Sequence, residues 1–252
     1  MKLTFLGTGT STGVPILGCR CPVCLSPDSH DKRTRPSLLL EFEGRVVVID
    51  TAPDFRFQAL REQIERVDAL VFTHAHADHV LGLDDVRPYY FKQRQPIPLY
   101  ADERCMRDLE RMFPYIFNHD YPYGGILRIE PRLIAASFEL WGERMTPLPV
   151  VHGQLPVLGF RFRRAAYVTD FSVIPEPTLA MLEGLDLLIL DSLRREPHPT
   201  HSSLDQSLAL VERLKPARAL FTHIAHEMGH ESTNALLPPH VRLAYDGLKV
   251  EV

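Results

Sequence analysis

The sequence predicts an α/β (α+β) fold, a four-layer αββα sandwich in which two β-sheets pack face to face and helices cover the outer faces. Short apolar runs rich in branched and aromatic residues alternate with a few helical segments, as such sandwiches require. The 252 residues are 45% hydrophobic and 24% charged, which is ordinary for a globular protein. No repeat, low-complexity tract or linker divides the chain, so we expect residues 1–252 to form a single domain.

Several segments predict strands, because each is compact, apolar and rich in β-branched or aromatic residues. In chain order they are residues 2–6, 38–42, 45–50, 69–74, 96–101, 145–152, 158–163, 165–170, 185–191 and 217–223. Glu43 and Gly44 form a tight connection, which predicts a hairpin between the strands on either side. Residues 243–252 are expected to close the fold as a strand pair.

Three segments predict helices. Asp102 is a good N-cap for a helix that runs to about residue 113. Residues 175–182 carry prolines in their first turn, which a short helix tolerates. Apolar residues recur at helical spacing after Ser202 and Ser203, which predicts an amphipathic helix there.

Composition disfavours several functions. Lys and Arg number 28 against 32 Asp and Glu, a net charge of −4, so nucleic acid is not a favoured partner. No apolar run approaches the roughly 18 residues of a membrane-spanning helix, which predicts no membrane partner. The N-terminal apolar stretch is too short for a signal peptide, and glycines interrupt it too early. We therefore expect a cytoplasmic protein.

The strongest functional signal is the run from His74 to His79, which holds three histidines and an aspartate after an apolar strand. Imidazole and carboxylate groups suit zinc, manganese or iron. Four adjacent donors indicate two ions, because one tetrahedral ion with an open position needs only three. Further donors follow apolar strands later in the chain, namely His152, Asp170 and His223.

This His-x-His-x-Asp-His run and the later His, Asp and His resemble the signature of the metallo-β-lactamase-fold hydrolase superfamily. The resemblance extends from Gly7 to about Gly247. It implies that His74, His76 and His152 bind one ion, that Asp78, His79 and His223 bind the other, and that Asp170 bridges them. Asp50, at the end of its strand, takes the supporting position, where we expect it to orient a ligand histidine.

A second cluster contains three cysteines, Cys19, Cys21 and Cys24, within six residues. In a reduced compartment this spacing favours metal binding over disulfides. Three thiolates are one ligand short of a tetrahedral zinc, and His226, three residues after His223, is the obvious fourth. We therefore predict one structural zinc. The remaining cysteine, Cys105, falls in a predicted helix and is expected to be a plain buried or half-buried thiol.

The cysteine cluster narrows the resemblance to the phosphodiesterases of the carbon–phosphorus lyase pathway, which hydrolyse phosphoribosyl cyclic phosphate. Segments 7–10, 13–15 and 245–247 match that pattern too. His201 matches a histidine that lies near the scissile phosphate in these enzymes and in tRNA 3′-end-processing endonucleases. The resemblance implies that His201 is the general acid or a donor to the phosphoryl oxygen. His201 and Asp78 are thus the predicted catalytic residues.

Charge favours a monoanionic substrate. Two divalent ions, two aspartates and a bridging hydroxide leave a net charge of about +1, which complements a phosphodiester. We therefore predict hydrolysis of a small phosphodiester, a cyclic ribose-type one among the options, by a metal-bridging hydroxide. The alternatives are an RNA-processing nuclease of the same fold, a thioester or lactone hydrolase, and a metal-binding protein without turnover. The choice of manganese or zinc, a homodimer, and the roles of the 113–125 loop and Arg56 stay open.

Overall fold

The computed structural model describes residues 1–118 and 124–252 and arranges them around two facing β-sheets. The strands of the first sheet are β1 (Lys2–Gly7), β2 (Ser37–Phe42), β3 (Arg45–Ile49), β4 (Ala69–Val71), β5 (Ile97–Ala101), β6 (Ile129–Leu133) and β14 (Lys249–Glu251). Their order is β14-β1-β2-β3-β4-β5-β6. The predicted hairpin joins β2 and β3, and the positive φ angles of Glu43 (47°) and Gly44 (71°) suit the tight turn between them.

The second sheet repeats this plan with the second half of the chain. Its strands are β7 (Phe138–Leu140), β8 (Glu143–His152), β9 (Leu155–Phe162), β10 (Ala165–Val168), β11 (Leu187–Asp191), β12 (Arg218–Thr222) and β13 (Val241–Leu243). They lie in the order β13-β12-β11-β10-β9-β8-β7. In each sheet, strands of the central region run parallel to one another, β3 with β4 and β5, and β10 with β11 and β12.

Helices cover both outer faces. The α-helices are α1 (Pro22–Leu25), α2 (Phe55–Arg61), α3 (Ala77–Val80), α4 (Arg87–Gln93), α5 (Glu103–Met112), α6 (Pro114–Phe117), α7 (Glu176–Ala180), α8 (Leu204–Leu214) and α9 (His230–Asn234), and short 3₁₀ turns span Ser29–Asp31 and Leu83–Val86. None of the helices in the described ranges has the length and hydrophobicity needed to cross a membrane.

Three buried clusters define four layers. The central cluster lies between the sheets and includes Phe5 of β1 and Phe160 of β9. A second cluster packs α2 and α5 on the first sheet, and a third packs α7 and α8 on the second sheet. The predicted αββα sandwich is thus confirmed. The cap of α5 follows the prediction, because the Asp102 carboxylate accepts a hydrogen bond from the Cys105 amide. The helix predicted after Ser202 and Ser203 is α8, and Ser203 forms a capping box with Gln206 at its start.

The expected closing strand pair over residues 243–252 is wrong. β13 pairs with β12 in the second sheet, whereas β14 pairs with β1 in the first. The chain changes sheets at Asp246, whose buried carboxylate accepts hydrogen bonds from the backbone and side chains of Thr8 and Thr34. These bonds fix the crossing point and keep the two segments apart.

The strand predicted over 69–74 is shorter than expected. β4 ends at Val71, because the Thr73 amide donates to the Asp50 carboxylate rather than to a neighbouring strand. The segment that carries His74 and His76 is therefore a loop. Since β3, β4 and β5 are parallel, as are β10, β11 and β12, their carboxyl ends meet at one edge of the sandwich and bring the candidate ligands together.

Backbone strain marks the same edge. Asp50, Asp170 and His223 follow β3, β10 and β12 and have φ angles of 62°, 54° and 58°. Residues other than glycine adopt this left-handed conformation at a cost, and such positions concentrate at functional sites.

Candidate metal centre

The first group of donors joins the loop after β4 to the ends of β8 and β10. One ligand atom from each of His74, His76, His152 and Asp170 lies within 4.8 Å of the others. Asp170 Oδ2 is 3.9 Å from His74 Nε2 and 4.0 Å from His152 Nε2. His76 is exposed, whereas the other three side chains are buried, so this group borders solvent.

The second group is buried and comprises Asp78, His79, Asp170 and His223, again with donor atoms within 4.8 Å of one another. Asp170 Oδ1 lies 3.3 Å from His79 Nε2 and 3.4 Å from His223 Nε2. Asp78 Oδ2 lies 3.4 and 3.5 Å from the same two nitrogens. The two oxygens of Asp170 therefore face different groups, which is the arrangement of a bridging carboxylate.

These residues fit divalent metal ions. Donors held at about 2.1 Å from one tetrahedral ion lie about 3.4 Å apart, which is the spacing in the second group. The Nε2 atoms of His74, His79 and His223 are buried and have no hydrogen-bond partner among the described residues. Buried polar atoms are rarely left unpaired, and an ion at each position would satisfy all three nitrogens. The seven predicted ligands thus converge as two sets that share Asp170.

Asp50 contacts the candidate ligand His79 on the side of its ring away from the donor group. Its Oδ2 lies 2.7 Å from His79 Nδ1, and the carboxylate also accepts hydrogen bonds from the Thr73 amide (2.8 Å) and hydroxyl (2.7 Å). A carboxylate on Nδ1 fixes the ring so that Nε2 faces the donor group. The structure places Asp50 where an orienting residue would lie, and Thr73, which the sequence analysis did not single out, shares the contact.

The charges of the second group call for a cation. Burial opposes charge on Asp78 and Asp170, but the neighbouring imidazoles hold the pKa of each carboxyl well below its ordinary value. Burial also lowers the pKa of His79 and His223, but the surrounding carboxylates outweigh it, leaving the pKa of His79 well above normal and raising that of His223 to about 9. The carboxylates thus stay ionised beside positive charge, which the protonated imidazoles supply here and which a bound ion would supply in their place.

The cysteine cluster also assembles. The Sγ atoms of Cys19, Cys21 and Cys24 lie 3.3, 3.4 and 3.5 Å from His226 Nδ1. Ligands at about 2.3 Å for sulfur and about 2.1 Å for nitrogen around one zinc would show a similar spacing. The Cys24 amide lowers the pKa of the Cys21 thiol to about 7, whereas burial raises the pKa of the Cys24 thiol to about 11. The four donors fit the predicted structural zinc.

Comparison with known proteins agrees with this geometry. Residues 45–224 match the model of the β-lactamase superfamily domain. A crystal structure described as a new diphosphatase from the PhnP family is 50% identical, with a TM-score of 0.94, and the match covers 100% of this chain and 97% of that one. The chain belongs to the β-lactamase superfamily and, within it, to the PhnP family. It is a metal-dependent hydrolase, as the resemblance implied.

Other relatives have lower sequence identity to this PhnP-family protein. An octanoyltransferase of Porphyromonas gingivalis (strain ATCC BAA-308 / W83) is 36% identical over 253 residues, which cover 99% of this chain and 51% of that protein. The chain thus spans about half the length of this curated relative. The zinc-bound PqqB of Methylobacterium extorquens is 20% identical, with a TM-score of 0.82 over the full length of both chains, and therefore shares the fold.

His201 lies beside both donor groups of this PhnP-family centre. Its ring centroid is 4.6 Å from that of His152 and 4.7 Å from that of His223, with which it stacks. Its Nδ1 lies 2.8 Å from Oδ2 of Asp191, a fully buried carboxylate at the end of β11. Asp191 thus holds the ring and leaves Nε2 available to the site.

Asp191 was not among the residues predicted from the sequence. The sequence did contain a signal for it, because Asp191 is the last residue of an apolar run, and Asp50 and Asp170 also lie at the ends of apolar runs. Arg56 lies elsewhere, with its guanidinium 5.8 Å from the Phe57 ring, in a groove between α2 and α4 that no candidate ligand lines. Of the 113–125 loop, residues 119–123 lie outside the described residues.

Proposed function

We propose that this protein is a dinuclear-metal-dependent phosphodiesterase acting on a small phosphodiester, with cyclic ribose-type phosphodiesters as candidates. The position of His201 carries the proposal, since its ring contacts one candidate ligand from each donor group. An alkoxide leaving group requires a proton, and an imidazolium held by a carboxylate can donate one. Asp191 would stabilise the charged ring through Nδ1 while Nε2–H faces the leaving oxygen.

The proposed ligands are those of the two donor groups, and the proposed ions are manganese or zinc. Two divalent ions bound there would polarise the phosphoryl group and lower the pKa of water to about 7. Asp78 and Asp170 offset only half of the four positive charges, so the centre favours an anionic substrate. Asp78 is proposed to serve catalysis by holding the second ion next to His201. Zinc is supported by the zinc-bound PqqB relative.

The diphosphatase relative supports phosphorus chemistry. A disubstituted diphosphate carries one negative charge and two bridging oxygens at each phosphorus, as a phosphodiester does. Both linkages therefore suit the same centre. The octanoyltransferase relative is about twice as long as this chain, and nothing in the centre supplies an acyl-transfer nucleophile among the described residues, so acyl transfer is not proposed.

The deciding experiment is phosphorus NMR of the metal-reconstituted protein with cyclic ribose phosphodiesters, linear phosphodiesters and disubstituted diphosphates. Selective conversion of one class identifies the substrate class. If every phosphorus signal stays unchanged while metal analysis shows two ions at the centre, the phosphodiesterase proposal is wrong. The same preparation is then assayed with thioesters, lactones and precursor tRNA, which test the alternative hydrolases. Turnover of none of them would indicate a metal-binding protein.

Replacing His201 by alanine tests the proton donor. We expect His201→Ala to slow hydrolysis of esters with alkyl leaving groups by about 10²–10⁴-fold, the usual contribution of general acid catalysis. Esters of p-nitrophenol need little protonation and should lose far less activity. The ratio of kcat/KM for the two ester types measures the effect. Equal losses on both types would remove the general-acid role.

Replacing Asp191 by asparagine tests the support of that donor. The amide keeps the shape of the side chain but no longer stabilises an imidazolium. We expect Asp191→Asn to lower hydrolysis of alkyl esters about 10–100-fold and to spare p-nitrophenyl esters, with unchanged metal content. Loss of metal, or an equal loss on both esters, would show that Asp191 acts on the ligand His223, whose Nδ1 lies 3.9 Å from it.

The remaining expectations are proposals supported by the site. The chain is proposed to form one domain, because both sheets supply donors to one centre. The cysteine cluster is proposed to hold a structural zinc, and the cytoplasm would keep its thiols reduced. A small anionic phosphodiester is the proposed partner, with a homodimer as a further option, and the net charge of −4 argues against nucleic acid.

A further inference from the structure

A small cavity adjoins the metal centre along helix α5. It measures about 120 Å³, and its walls include His74 and His76 of the first donor group, together with Asp102, Arg104 and Asp108. A shallower depression shares Asp108 and continues to Arg111. Pockets for whole drug-sized ligands are about 300–1,000 Å³, so this cavity takes one ring or one small group of a larger substrate.

The helix presents polar side chains to this cavity at regular spacing. Arg104, Asp108 and Arg111 occupy positions i, i+4 and i+7 of α5, which place them on one face, whereas Cys105, Met106 and Leu109 pack into the core. This helix face is thus a row of alternating charge. Arg104 and Asp108 line the cavity itself, and Arg111 lies in the adjoining depression.

Arg104 differs from the other charged side chains of this face in lacking a partner among the described residues. Asp102 accepts a hydrogen bond from the Cys105 amide at 2.7 Å, and Asp108 pairs with Arg111 at 3.6 Å. Arg104 makes no ion pair or hydrogen bond with the residues that the structure describes. The cavity therefore offers guanidinium donors and carboxylate acceptors together. Two carboxylates, Asp102 and Asp108, and one guanidinium, Arg104, line the cavity, so its wall carries a small excess of negative charge.

The cavity lies on the side of the centre away from His201. His201 contacts His152 and His223, whereas neither of these lines the cavity, which borders His74 and His76. If His201 protonates the leaving group, the substituent that remains on phosphorus extends towards α5. This step rests on the proposed function.

We propose that the α5 cavity binds a hydroxylated ring, such as ribose, on the retained side of the phosphodiester. Arg104 donates hydrogen bonds to its oxygens and Asp108 accepts them from its hydroxyls. A wall that holds a guanidinium donor and carboxylate acceptors matches a polyol, whose hydroxyls donate and accept, better than a second phosphate, which only accepts. Arg104 and Asp108 are then specificity-determining residues.

The test uses two substrates with the same leaving group, the p-nitrophenyl ester of ribose 5-phosphate and methyl p-nitrophenyl phosphate. We expect Arg104→Gln and Asp108→Asn each to lower kcat/KM for the ribosyl ester by about tenfold and to change the methyl ester by less than about twofold. Arg107→Gln is the matched control, since Arg107 lies on the same helix, pairs with Glu103 at 3.3 Å and does not line the cavity.

Each other outcome has a distinct meaning. Equal losses on both esters, or no loss on either, would overturn the subsite while leaving the phosphodiesterase proposal intact. A loss that appears only when the sugar carries a second phosphate would overturn the polyol assignment and make Arg104 an anion-binding residue. Failure of the wild-type protein to hydrolyse either ester would overturn the proposed function and the subsite with it.

Discussion

Replacing His76 by alanine is expected to abolish hydrolysis and to leave the protein folded. His76 is the exposed member of the first donor group, and its side chain makes no cap hydrogen bond at the start of α3. The substitution therefore removes one of three proposed histidine donors at little cost in packing. Loss of a group that merely supports a ligand costs about 10–100-fold, so loss of the ligand itself should exceed that. Steady-state kinetics and metal analysis measure both effects.

Metal analysis makes this prediction specific. We expect His76→Ala to lose the first active-site ion while the second ion and the zinc at the cysteine cluster remain. His240→Ala is the matched control, because His240 is also exposed and belongs to none of the donor groups found among the described residues. Wild-type turnover in His76→Ala, with its metal content unchanged, would refute the assignment of His76.

Much of the centre is predictable because each donor follows an apolar strand. Asp170 and His223 follow β10 and β12, whose carboxyl ends meet at one edge because both strands run parallel to β11. His152 ends the antiparallel strand β8, and its position at the end of an apolar run was the signal that marked it as a candidate. The pairing of His226 with three cysteines more than 200 positions away was equally accessible, since zinc chemistry demands a fourth ligand and supplies the long-range information.

Features that depend on tertiary contacts could not be predicted from local sequence patterns. The strand pair predicted over residues 243–252 was wrong because Thr8 and Thr34 hold Asp246 at the point where the chain changes sheets, and no local sequence pattern encodes these contacts. The strand over 69–74 ended early because Asp50 captures the Thr73 amide. Asp191 was missed because its partner, His201, lies in a loop. The position of that loop depends on tertiary packing and not on local sequence.

Replacing Cys24 by serine should remove the structural zinc and destabilise the fold. Cys24 is the buried thiol of its cluster, and the segment between β1 and β2 that contains it has only two short helical turns in its described structure. Metal ligation contributes directly to the folding free energy of such segments. A loss of about 3–5 kcal/mol would lower Tm by about 10 °C in a chain of this size. Calorimetry and zinc analysis measure the two quantities.

The same substitution should impair activity, because this segment contacts the metal centre. The Ile224 amide donates to the Thr8 carbonyl at 2.9 Å, and the Thr10 amide donates to the Ile224 carbonyl at 3.0 Å, so the residue after His223 is held by the start of the zinc-binding segment. Loosening that segment frees His223 to move. We therefore expect kcat to fall even well below Tm, while the proposed ligands of the first ion are unaffected.

Cys105→Ala is the matched control for this prediction. Cys105 is also buried, but it lies in α5 and joins no cysteine cluster among the described residues. Its replacement should cost only the packing of a small side chain, about 1 kcal/mol, and leave zinc content unchanged. If Cys24→Ser kept its zinc and its Tm, the cysteine cluster would not be a structural metal site. If it lost zinc and stability but kept full kcat, the contacts through Ile224 would not link that site to catalysis.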